Sequence, residues 1–226
     1  MTVGTEIRAN VDTVRRRIEY ACQRAGRSPA EITLVAVTKT VAPPAVAIAL
    51  AAGISHLGEN RVQEAVTKIE QLAALTPHPT WHMVGHLQTN KARKAVEIFD
   101  VIQSVDSIKL AEVLSQRTQK TLPILLEVNV AGEASKSGFS IDEVAPALAA
   151  ISGLPRLVIK GLMTIAPLVD DPEEVRPVFR KLRSLRDSLG LEHLSMGMTD
   201  DFEVAIEEGA TMVRIGRAIF GERPII

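Results

Sequence analysis

One lysine stands where its amine could act as a nucleophile. Lys39 follows residues 34–38, a run of apolar and β-branched residues that is typical of a buried strand. At the end of such a strand the amine can be directed into a pocket and partly stripped of water, which lowers the pKa of a lysine. A neutral amine can attack a carbonyl carbon and form an imine. On this pattern alone Lys39 is a candidate imine-forming nucleophile, an aldolase lysine or a structural charge.

Two later segments offer a site for an anion. Ser195, Gly197 and Thr199 lie between a short apolar run and a predicted helix, and Gly216 and Arg217 follow another apolar run. A glycine lets backbone N–H groups approach a ligand closely, and amides that point the same way favour an anion. These segments therefore predict a phosphate site.

Charged residues beside these segments bear on the same site. Arg214 lies within an apolar run, and a guanidinium buried there needs a counter-charge or hydrogen-bond acceptors. Two interpretations of Arg214 stay open: an ion pair with an acid such as Glu59, or a contact with a ring nitrogen or an anionic group of a ligand. Asp200 and Asp201 begin the next predicted helix, and we expect them to complement its dipole on the outer side. An amine, a phosphate site and an arginine together describe a pocket for pyridoxal 5′-phosphate (PLP).

Three other polar residues are weighed beside this pocket. We interpret His82 and His86, near the end of the third predicted strand, as packing or polar residues and not as catalytic ones. Lys136 is either a charge on a loop or a second amine to which PLP transfers.

The elements that must position these groups alternate regularly. A helix over residues 6–25, with the charged cluster 15–17 on its solvated face, precedes eight strand and helix repeats. This alternation predicts an α/β fold, a single (β/α)8 TIM barrel over residues 1–226 with an extra N-terminal helix that covers its base. A doubly wound open sheet is the alternative, although no GxGxxG follows the first strand. The predicted strands are 34–38, 54–57, 80–84, 101–105, 122–130, 157–162, 193–196 and 211–215, and a helix is expected to start at residue 58.

Composition excludes several classes of partner and site. The chain has 226 residues, of which 46% are apolar and 23% charged, and its formal net charge is −1. This balance gives no electrostatic reason to expect nucleic acid or a membrane as a partner. Cys22 is the single cysteine, so the chain cannot form an internal disulfide or a zinc site built on cysteines. The sequence shows no signal-peptide pattern and no run of about eighteen apolar residues, and we expect a cytoplasmic protein.

Six segments resemble the YggS/PROSC family, the pyridoxal phosphate homeostasis proteins. The match spans nearly the whole chain, in order and with family-like spacing. Thr199 departs from the family, since many members carry serine at this position, but a hydroxyl is retained. The matching segments are residues 36–39, 58–64, 81–91, 161–164, 195–198 and 214–216.

The resemblance implies a barrel like the N-terminal domain of alanine racemase, with PLP bound to Lys39 as an internal aldimine. By the same match, Ser195, Gly197, Gly216 and the backbone at Arg217 hold the phosphate.

The resemblance also implies that Arg214 faces the pyridine nitrogen and that Asn60 and Met163 line the ring pocket. An arginine cannot accept a proton from the ring, so it disfavours the pyridinium form and weakens the electron sink. Reactions that depend on a strongly stabilised quinonoid intermediate are therefore not expected.

A carrier function follows from the resemblance. It implies a monomer that holds PLP and releases it to other proteins, such as PLP-dependent apoenzymes, without turnover. Alanine racemases continue into a second domain that supplies a tyrosine base, whereas this chain ends soon after Gly221 and has its one tyrosine, Tyr20, in the first helix. The alternatives are an amino-acid racemase with one domain and a Schiff-base aldolase that binds a phosphorylated sugar.

Overall fold

Eight parallel strands form a closed barrel in the computed structural model, which describes residues 3–133 and 135–222. Each strand pairs with its neighbours in chain order, and β8 pairs with β1 to complete the ring. The predicted (β/α)8 barrel is confirmed, and the doubly wound alternative is wrong. The strands are β1 Thr33–Val37, β2 His56–Glu59, β3 Thr80–Met83, β4 Val101–Val105, β5 Leu122–Glu127, β6 Leu157–Met163, β7 His193–Ser195 and β8 Met212–Ile215.

The helices lie outside the strands and alternate with them. Short 3-10 turns at Pro29–Glu31, Thr89–Lys91 and Pro172–Val175 precede β1, α4 and α7. No helix in the described ranges is long and apolar enough to cross a membrane. The α-helices are α1 Val3–Ala25, α2 Pro43–Ala51, α3 Val62–Leu72, α4 Ala92–Ile98, α5 Ile108–Arg117, α6 Ile141–Ser152, α7 Arg176–Ser188, α8 Phe202–Glu207 and α9 Arg217–Phe220.

Local sequence explains most of these boundaries. Ser140 and Glu143 form a capping box at the start of α6, and the Ser107 hydroxyl accepts a hydrogen bond from a backbone N–H in the first turn of α5. The helix expected from residue 58 is wrong, because Gly58 and Glu59 continue β2 and α3 begins at Val62. Gly58 remains in the sheet because its register partner is Val37 and its bare Cα packs against the side chains of β1.

The first helix completes the helical ring instead of covering the barrel base. Its apolar stripe is buried as predicted, and α1 packs against α8, α9 and α2. The place between α8 and α2 belongs to the helix that follows β8, but α9 has only 4 residues. Because α9 is too short to cover that side of the barrel, α1 takes its place.

The arginine cluster of α1 is not simply a solvated face. Arg17 makes two hydrogen bonds to Glu203, with its guanidinium carbon 4.5 Å from the centroid of the Phe202 ring. Arg15 donates to the backbone oxygen of Gly53 at 2.9 Å. Arg16 is exposed, whereas Arg15 and Arg17 are half-buried and help to attach α1 to the barrel.

Two separate apolar regions pack against the strands, one on the outside of the barrel and one on its inside. The larger one lies between the barrel and the helices. The smaller one, inside the barrel, consists of Leu125, Met163 and Met212 with Val101 packed against them. The remainder of the barrel interior contains polar side chains, and these lead to the site described next.

Candidate functional site

A cavity of about 470 Å³ opens at the carboxyl ends of the strands, where barrel enzymes place their active sites. Its volume falls within the range of pockets that bind small molecules. The walls carry apolar residues from several strand ends and charged residues from the loops after β7 and β8. The lining residues are Val37, Lys39, Asn60, Val84, Ile165, Met198, Thr199, Asp200, Arg214, Gly216, Arg217 and Glu222.

The cavity brings part of the predicted site together. Sequence reasoning missed the apolar walls, although each apolar wall residue lies close after a strand or at its last position, which is the signal that could have found them. The predicted residues that line the cavity are Lys39, Asn60, Arg214, Gly216 and Arg217, whereas Met163, Ser195 and Gly197 lie behind its walls.

Lys39 lies half-buried in a segment that is held on both sides. Before it, the Thr38 hydroxyl donates to Glu59 Oε1 at 2.6 Å, and the Thr38 N–H donates to the Gly58 oxygen at 2.9 Å. After it, Thr40 has a φ of 64°, which is uncommon for a β-branched residue, and its N–H donates to Glu64 Oε1 at 2.5 Å. The turn that presents Lys39 to the cavity is therefore fixed by two acidic side chains.

A buried lysine that the sequence analysis missed joins these two acids. Lys68 Nζ lies 2.6 Å from Glu59 Oε1 and 2.7 Å from Glu64 Oε1, and it also donates to the backbone oxygen of Thr38. Burial raises the pKa of Glu59, while the hydrogen bonds from Lys68 and Thr38 oppose that shift. The spacing of Glu64 and Lys68, four residues apart on α3, is the signal that could have revealed this cluster.

Arg214 is almost fully buried, at 4% exposure, and its partners are neutral. Its Nη1 donates to Ser195 Oγ at 2.7 Å, and its Nη2 donates to the backbone oxygen of Thr164 at 2.8 Å. The ion pair with Glu59 that was one interpretation is wrong, since Glu59 is bound to Lys68 and Thr38. Burial lowers the pKa of Arg214 to about 10, and the charges of Asp201 and Glu127 oppose that shift. Arg214 is therefore a cation at neutral pH.

The structure corrects the role expected of the Ser195 hydroxyl. This hydroxyl is fully buried inside the barrel, where it donates to Gln103 Oε1 at 2.6 Å and accepts from Arg214. It supports Arg214 and does not face the cavity. The Thr199 side chain does line the cavity, and its oxygen accepts from the Ala218 N–H at 3.4 Å.

The glycines of the two loops differ in what they do. Gly197 has a φ of 90°, and a Cβ there would lie 2.6 Å from the Cβ of Ala205. This glycine therefore lets the loop pack against α8, and its effect on the cavity is indirect. Gly216 lines the cavity directly, in the loop between β8 and α9.

The two aspartates after β7 do not lie on the outer side as expected. Asp200 lines the cavity, and both of its oxygens accept hydrogen bonds from Nη2 of Arg217. Asp201 is buried, and its carboxylate accepts from the Met198 N–H at 2.5 Å instead of capping α8. The two loops predicted to bind an anion therefore contain an acid, Asp200, that pairs with one of their cations, Arg217.

The two residues predicted to line the ring pocket are placed differently. Asn60 lines the cavity, and its buried Oδ1 accepts no hydrogen bond from any described residue. A buried acceptor without a donor is uncommon and calls for a partner from a ligand or from water. Met163 is fully buried inside the barrel against Leu125 and Met212, so it lies beneath the cavity.

The remaining polar residues surround the site without entering the cavity. His86 is exposed, with Nδ1 3.0 Å from Asp106 Oδ2 and 3.4 Å from Ser137 Oγ. Lys136 lies 2.6 Å from Glu133 and borders a neighbouring cavity. Both interpretations of Lys136, a loop charge and a second amine, stay open.

Comparisons with known proteins agree with this architecture. The family model of the alanine racemase N-terminal domain matches residues 8–224. Proteins named pyridoxal phosphate homeostasis protein from Aquifex aeolicus and Pseudomonas aeruginosa are 45% and 46% identical to the chain; the matches cover 93% and 96% of it, and 95% and 96% of those proteins.

Solved structures give the same result. PipY of Synechococcus elongatus, with PLP bound, has a TM-score of 0.83 and 37% identity, over 95% of this chain and 100% of that one. An alanine racemase of Clostridium difficile has a TM-score of 0.74 over 97% of this chain and 57% of its own, but at 13% identity the likeness concerns the fold alone.

Proposed function

This chain belongs to the family of pyridoxal phosphate homeostasis proteins and carries the alanine racemase N-terminal domain, and from that premise we propose that it binds PLP and acts in PLP homeostasis. The single observation that carries the proposal is that Lys39 and Arg214, which come from opposite ends of the sequence, line one cavity.

The residues of the cavity fit the chemical groups of PLP. Asn60 places an amide in the cavity wall whose Oδ1 has no donor among the described residues, and this amide can hydrogen-bond the ring oxygen of PLP. Arg214 supplies donors for a ring nitrogen, and Gly216 with the backbone at Arg217 and the Thr199 hydroxyl supplies donors for a phosphate. Lys39 supplies an amine for the aldehyde. The ring oxygen, the ring nitrogen, the phosphate and the aldehyde of PLP would each have a partner in this cavity.

Each residue has a distinct part in holding the ligand. When bound, PLP supplies a reactive aldehyde on a ring that can withdraw electrons. Lys39 is the proposed point of covalent attachment, and the apolar walls of Val37, Val84 and Ile165 keep water away from its amine. Because Arg214 can only donate, it keeps a ring nitrogen from taking up a proton.

We propose a carrier without catalytic turnover. Arg214 weakens the electron sink on which racemases and related enzymes depend. Tyr20, the one tyrosine of the sequence, is 61% exposed on α1, on the outside of the helical ring, so it is not available as a base at the cavity. A racemase-like enzyme is the alternative, and it requires exchange of the substrate α-proton.

The setting of this carrier belongs to the same proposal. We propose a monomer, as the resemblance to the family implies. A single, buried cysteine is compatible with the reducing conditions of the cytoplasm. The recipients that we propose are PLP-dependent apoenzymes.

Borohydride reduction of the protein incubated with PLP tests the binding site. We expect reduction to fix PLP irreversibly on the peptide that contains Lys39 and the Lys39→Ala variant to lose this incorporation. Lys136→Ala is the matched control and should keep it. Incorporation that survives Lys39→Ala, or that maps to another lysine in the wild type, would overturn the assignment.

Two further measurements separate a carrier from an enzyme. Purified protein in deuterium oxide should leave the α-proton of amino acids in place over a broad panel, whereas steady exchange would establish the racemase-like alternative. Mixed with an apoenzyme that needs PLP, the loaded protein should restore its activity faster than Lys39→Ala protein prepared in the same way. Equal rates would contradict the role as donor.

A further inference from the structure

A continuous chain of hydrogen bonds crosses the barrel interior and ends at Arg214. His56 Nδ1 lies 2.9 Å from His82 Nε2, and His82 Nδ1 lies 2.9 Å from Gln103 Nε2. Gln103 Oε1 accepts from Ser195 Oγ at 2.6 Å, and Ser195 Oγ accepts from Arg214 Nη1 at 2.7 Å. The chain thus links five strands, from the amino end of β2 to the wall of the cavity.

The direction of each bond in this chain follows from the donors of Arg214 together with the placement of the Gln103 amide. A guanidinium can only donate, so the Ser195 oxygen accepts from Arg214, and the Ser195 hydrogen goes to Gln103 Oε1. The amide nitrogen of Gln103 faces His82 and donates to its Nδ1. His82 is therefore neutral with its hydrogen on Nε2, which it donates to His56 Nδ1. Burial, together with the charge of His56, lowers the pKa of His82 to about 3, in agreement with a neutral ring.

Gln103 holds the central place in this arrangement. It is fully buried, and its amide group satisfies Ser195 on one side and His82 on the other. Without an acceptor at Oε1, the Ser195 hydrogen would have to turn elsewhere, and the lone pair that faces Arg214 would no longer be fixed. The carbonyl of Thr164 would then be the one fixed acceptor that the described contacts give to the guanidinium.

We propose that Gln103 is a positioning residue which, through the Ser195 hydroxyl, sets the orientation of the Arg214 guanidinium at the cavity wall. The proposal rests on the proposed function, because the ligand whose ring nitrogen Arg214 faces is PLP. Gln103 itself does not touch the cavity, so it acts only through Ser195.

The first test compares two variants of Gln103 that are similar in size. Gln103→Leu removes the acceptor, whereas Gln103→Glu keeps an acceptor for Ser195. We expect the dissociation constant for PLP to rise roughly tenfold in Gln103→Leu, as for the loss of one buried hydrogen bond to a charged group, and to stay close to wild type in Gln103→Glu. The absorption spectrum of the bound PLP should change in Gln103→Leu alone.

A control and a double variant separate positioning from general loss of stability. Ser115→Ala removes a buried hydroxyl on α5 that donates to the backbone oxygen of Pro155 and takes no part in the hydrogen-bond chain, so it should leave the dissociation constant and the spectrum unchanged. Because Gln103 acts through Ser195, Gln103→Leu should have no further effect on PLP binding in a Ser195→Ala background. Additive losses would overturn the proposal, and so would wild-type binding in Gln103→Leu.

The direction of the hydrogen bonds between His56 and Arg214 can be measured without PLP. Nitrogen-15 NMR of the histidine rings in the ligand-free protein should show His82 with a proton on Nε2 and a bare Nδ1. A proton on Nδ1 of His82 would mean that the hydrogen bonds run in the opposite direction, and it would overturn the proposal. This measurement uses the wild type, so it is decisive even if Gln103→Leu fails to fold. If the wild type retains no PLP, the proposed function fails. The NMR result still decides whether the hydrogen bonds from His82 to Arg214 have the inferred direction.

Discussion

Arg217 and Asp200 place a neutralised cation where a phosphate is expected. Asp200 lines the cavity and holds the Arg217 guanidinium through both carboxylate oxygens. A dianion that binds nearby is repelled by Asp200, although the pair is more than one-third exposed and water screens it. Asp200 is therefore expected to limit the affinity for PLP, which is consistent with the proposed role as a PLP donor.

Replacing Asp200 should strengthen binding. We expect Asp200→Asn to lower the dissociation constant for PLP by up to about fivefold, the equivalent of about 1 kcal/mol for an exposed ion pair. The gain should shrink as salt is added. Equilibrium dialysis at two salt concentrations measures both effects.

Asp187→Asn is the matched control for this charge change. Asp187 pairs with Arg186 on α7 and does not line the cavity, so its removal should leave the affinity unchanged. An Asp200→Asn variant that binds PLP more weakly than the wild type would contradict the argument, because Asp200 would then contribute favourably to the site.

At the scale of residues, type and place at a strand end could be read from the sequence, but side-chain direction could not. Lys39 and Arg214 were predicted as site residues because a strand-end amine, an arginine within an apolar run and a phosphate site occur together in one sequence. The direction of the Ser195 hydroxyl depends on Gln103, which is 92 positions away, and nothing in the sequence near Ser195 indicates that partner. The same holds for Lys68, whose burial depends on Glu59 in β2.

At the scale of elements, Lys68 joins α3 to the ends of β1 and β2. Lys68→Met should destabilise the protein by about 3 kcal/mol, because it leaves the buried Glu59 without its cation. The deficit should be smaller at pH 5 than at pH 8: without Lys68 the folded-state pKa of Glu59 lies still higher, and stability is lost as the pH rises through it. Urea unfolding at both pH values measures this.

Lys160→Met serves as the comparison for that variant. Lys160 forms an exposed pair with Glu192, and its loss should cost less than about 1 kcal/mol at either pH. Adding Glu59→Gln to Lys68→Met should recover part of the lost stability. A deficit that is the same at both pH values, or no recovery, would mean that Glu59 is not the group left without a partner.

A close contact between two strands sets a second prediction at this scale. Gly161 in β6 lies so near β7 that a Cβ would fall 2.0 Å from the backbone oxygen of His193. Gly161→Ala should therefore force the strands apart and cost at least 1–3 kcal/mol, the usual range for overpacking. Gly153→Ala is the control, since its Cβ would meet nothing closer than 3.8 Å. Similar thermal unfolding midpoints for the two variants would show that β6 can move without cost.

Some boundaries of strands and helices could be predicted from the local sequence, and others could not. Strands rich in apolar residues and helices with capping boxes were predicted close to their observed positions, because their signals are local. The extension of β2 through Gly58 and Glu59 was missed, since it depends on pairing with β1 and β3 and not on the residues themselves.

At the scale of the whole molecule, the neutral histidine inside the barrel makes stability depend on pH. Folding lowers the pKa of His82 from 6.5 to about 3. Between these two pH values His82 binds a proton in the unfolded chain but not in the folded protein. The free energy of unfolding should therefore fall as the pH is lowered, by about 2 kcal/mol between pH 7 and pH 5 from this group.

His82→Gln isolates that contribution. Glutamine offers one acceptor and one donor but does not titrate, so the variant should lose less stability than the wild type between pH 7 and pH 5 in urea unfolding. His78→Gln changes an exposed histidine and should keep the wild-type dependence. If the His82→Gln and wild-type curves run parallel, another group sets the acid side of the stability profile.

The barrel could be predicted from the sequence, but the place of α1 in the ring of helices around it could not. Eight alternations of strand and helix permit few arrangements, of which a closed barrel and a doubly wound open sheet were the two considered. The position of α1 depends on the short length of α9 at the other end of the sequence, and only three-dimensional contacts join the two.

The joining of α1 to the last part of the chain has a consequence for synthesis on the ribosome. Asn10 donates to the backbone oxygen of Ile219 across 209 positions, and Arg17 reaches Glu203 across 186. The α1 segment therefore leaves the ribosome well before the α8 and α9 segments against which it packs. Until those segments emerge, the part of its apolar stripe that they cover stays exposed in the nascent chain, and such a surface is prone to aggregation.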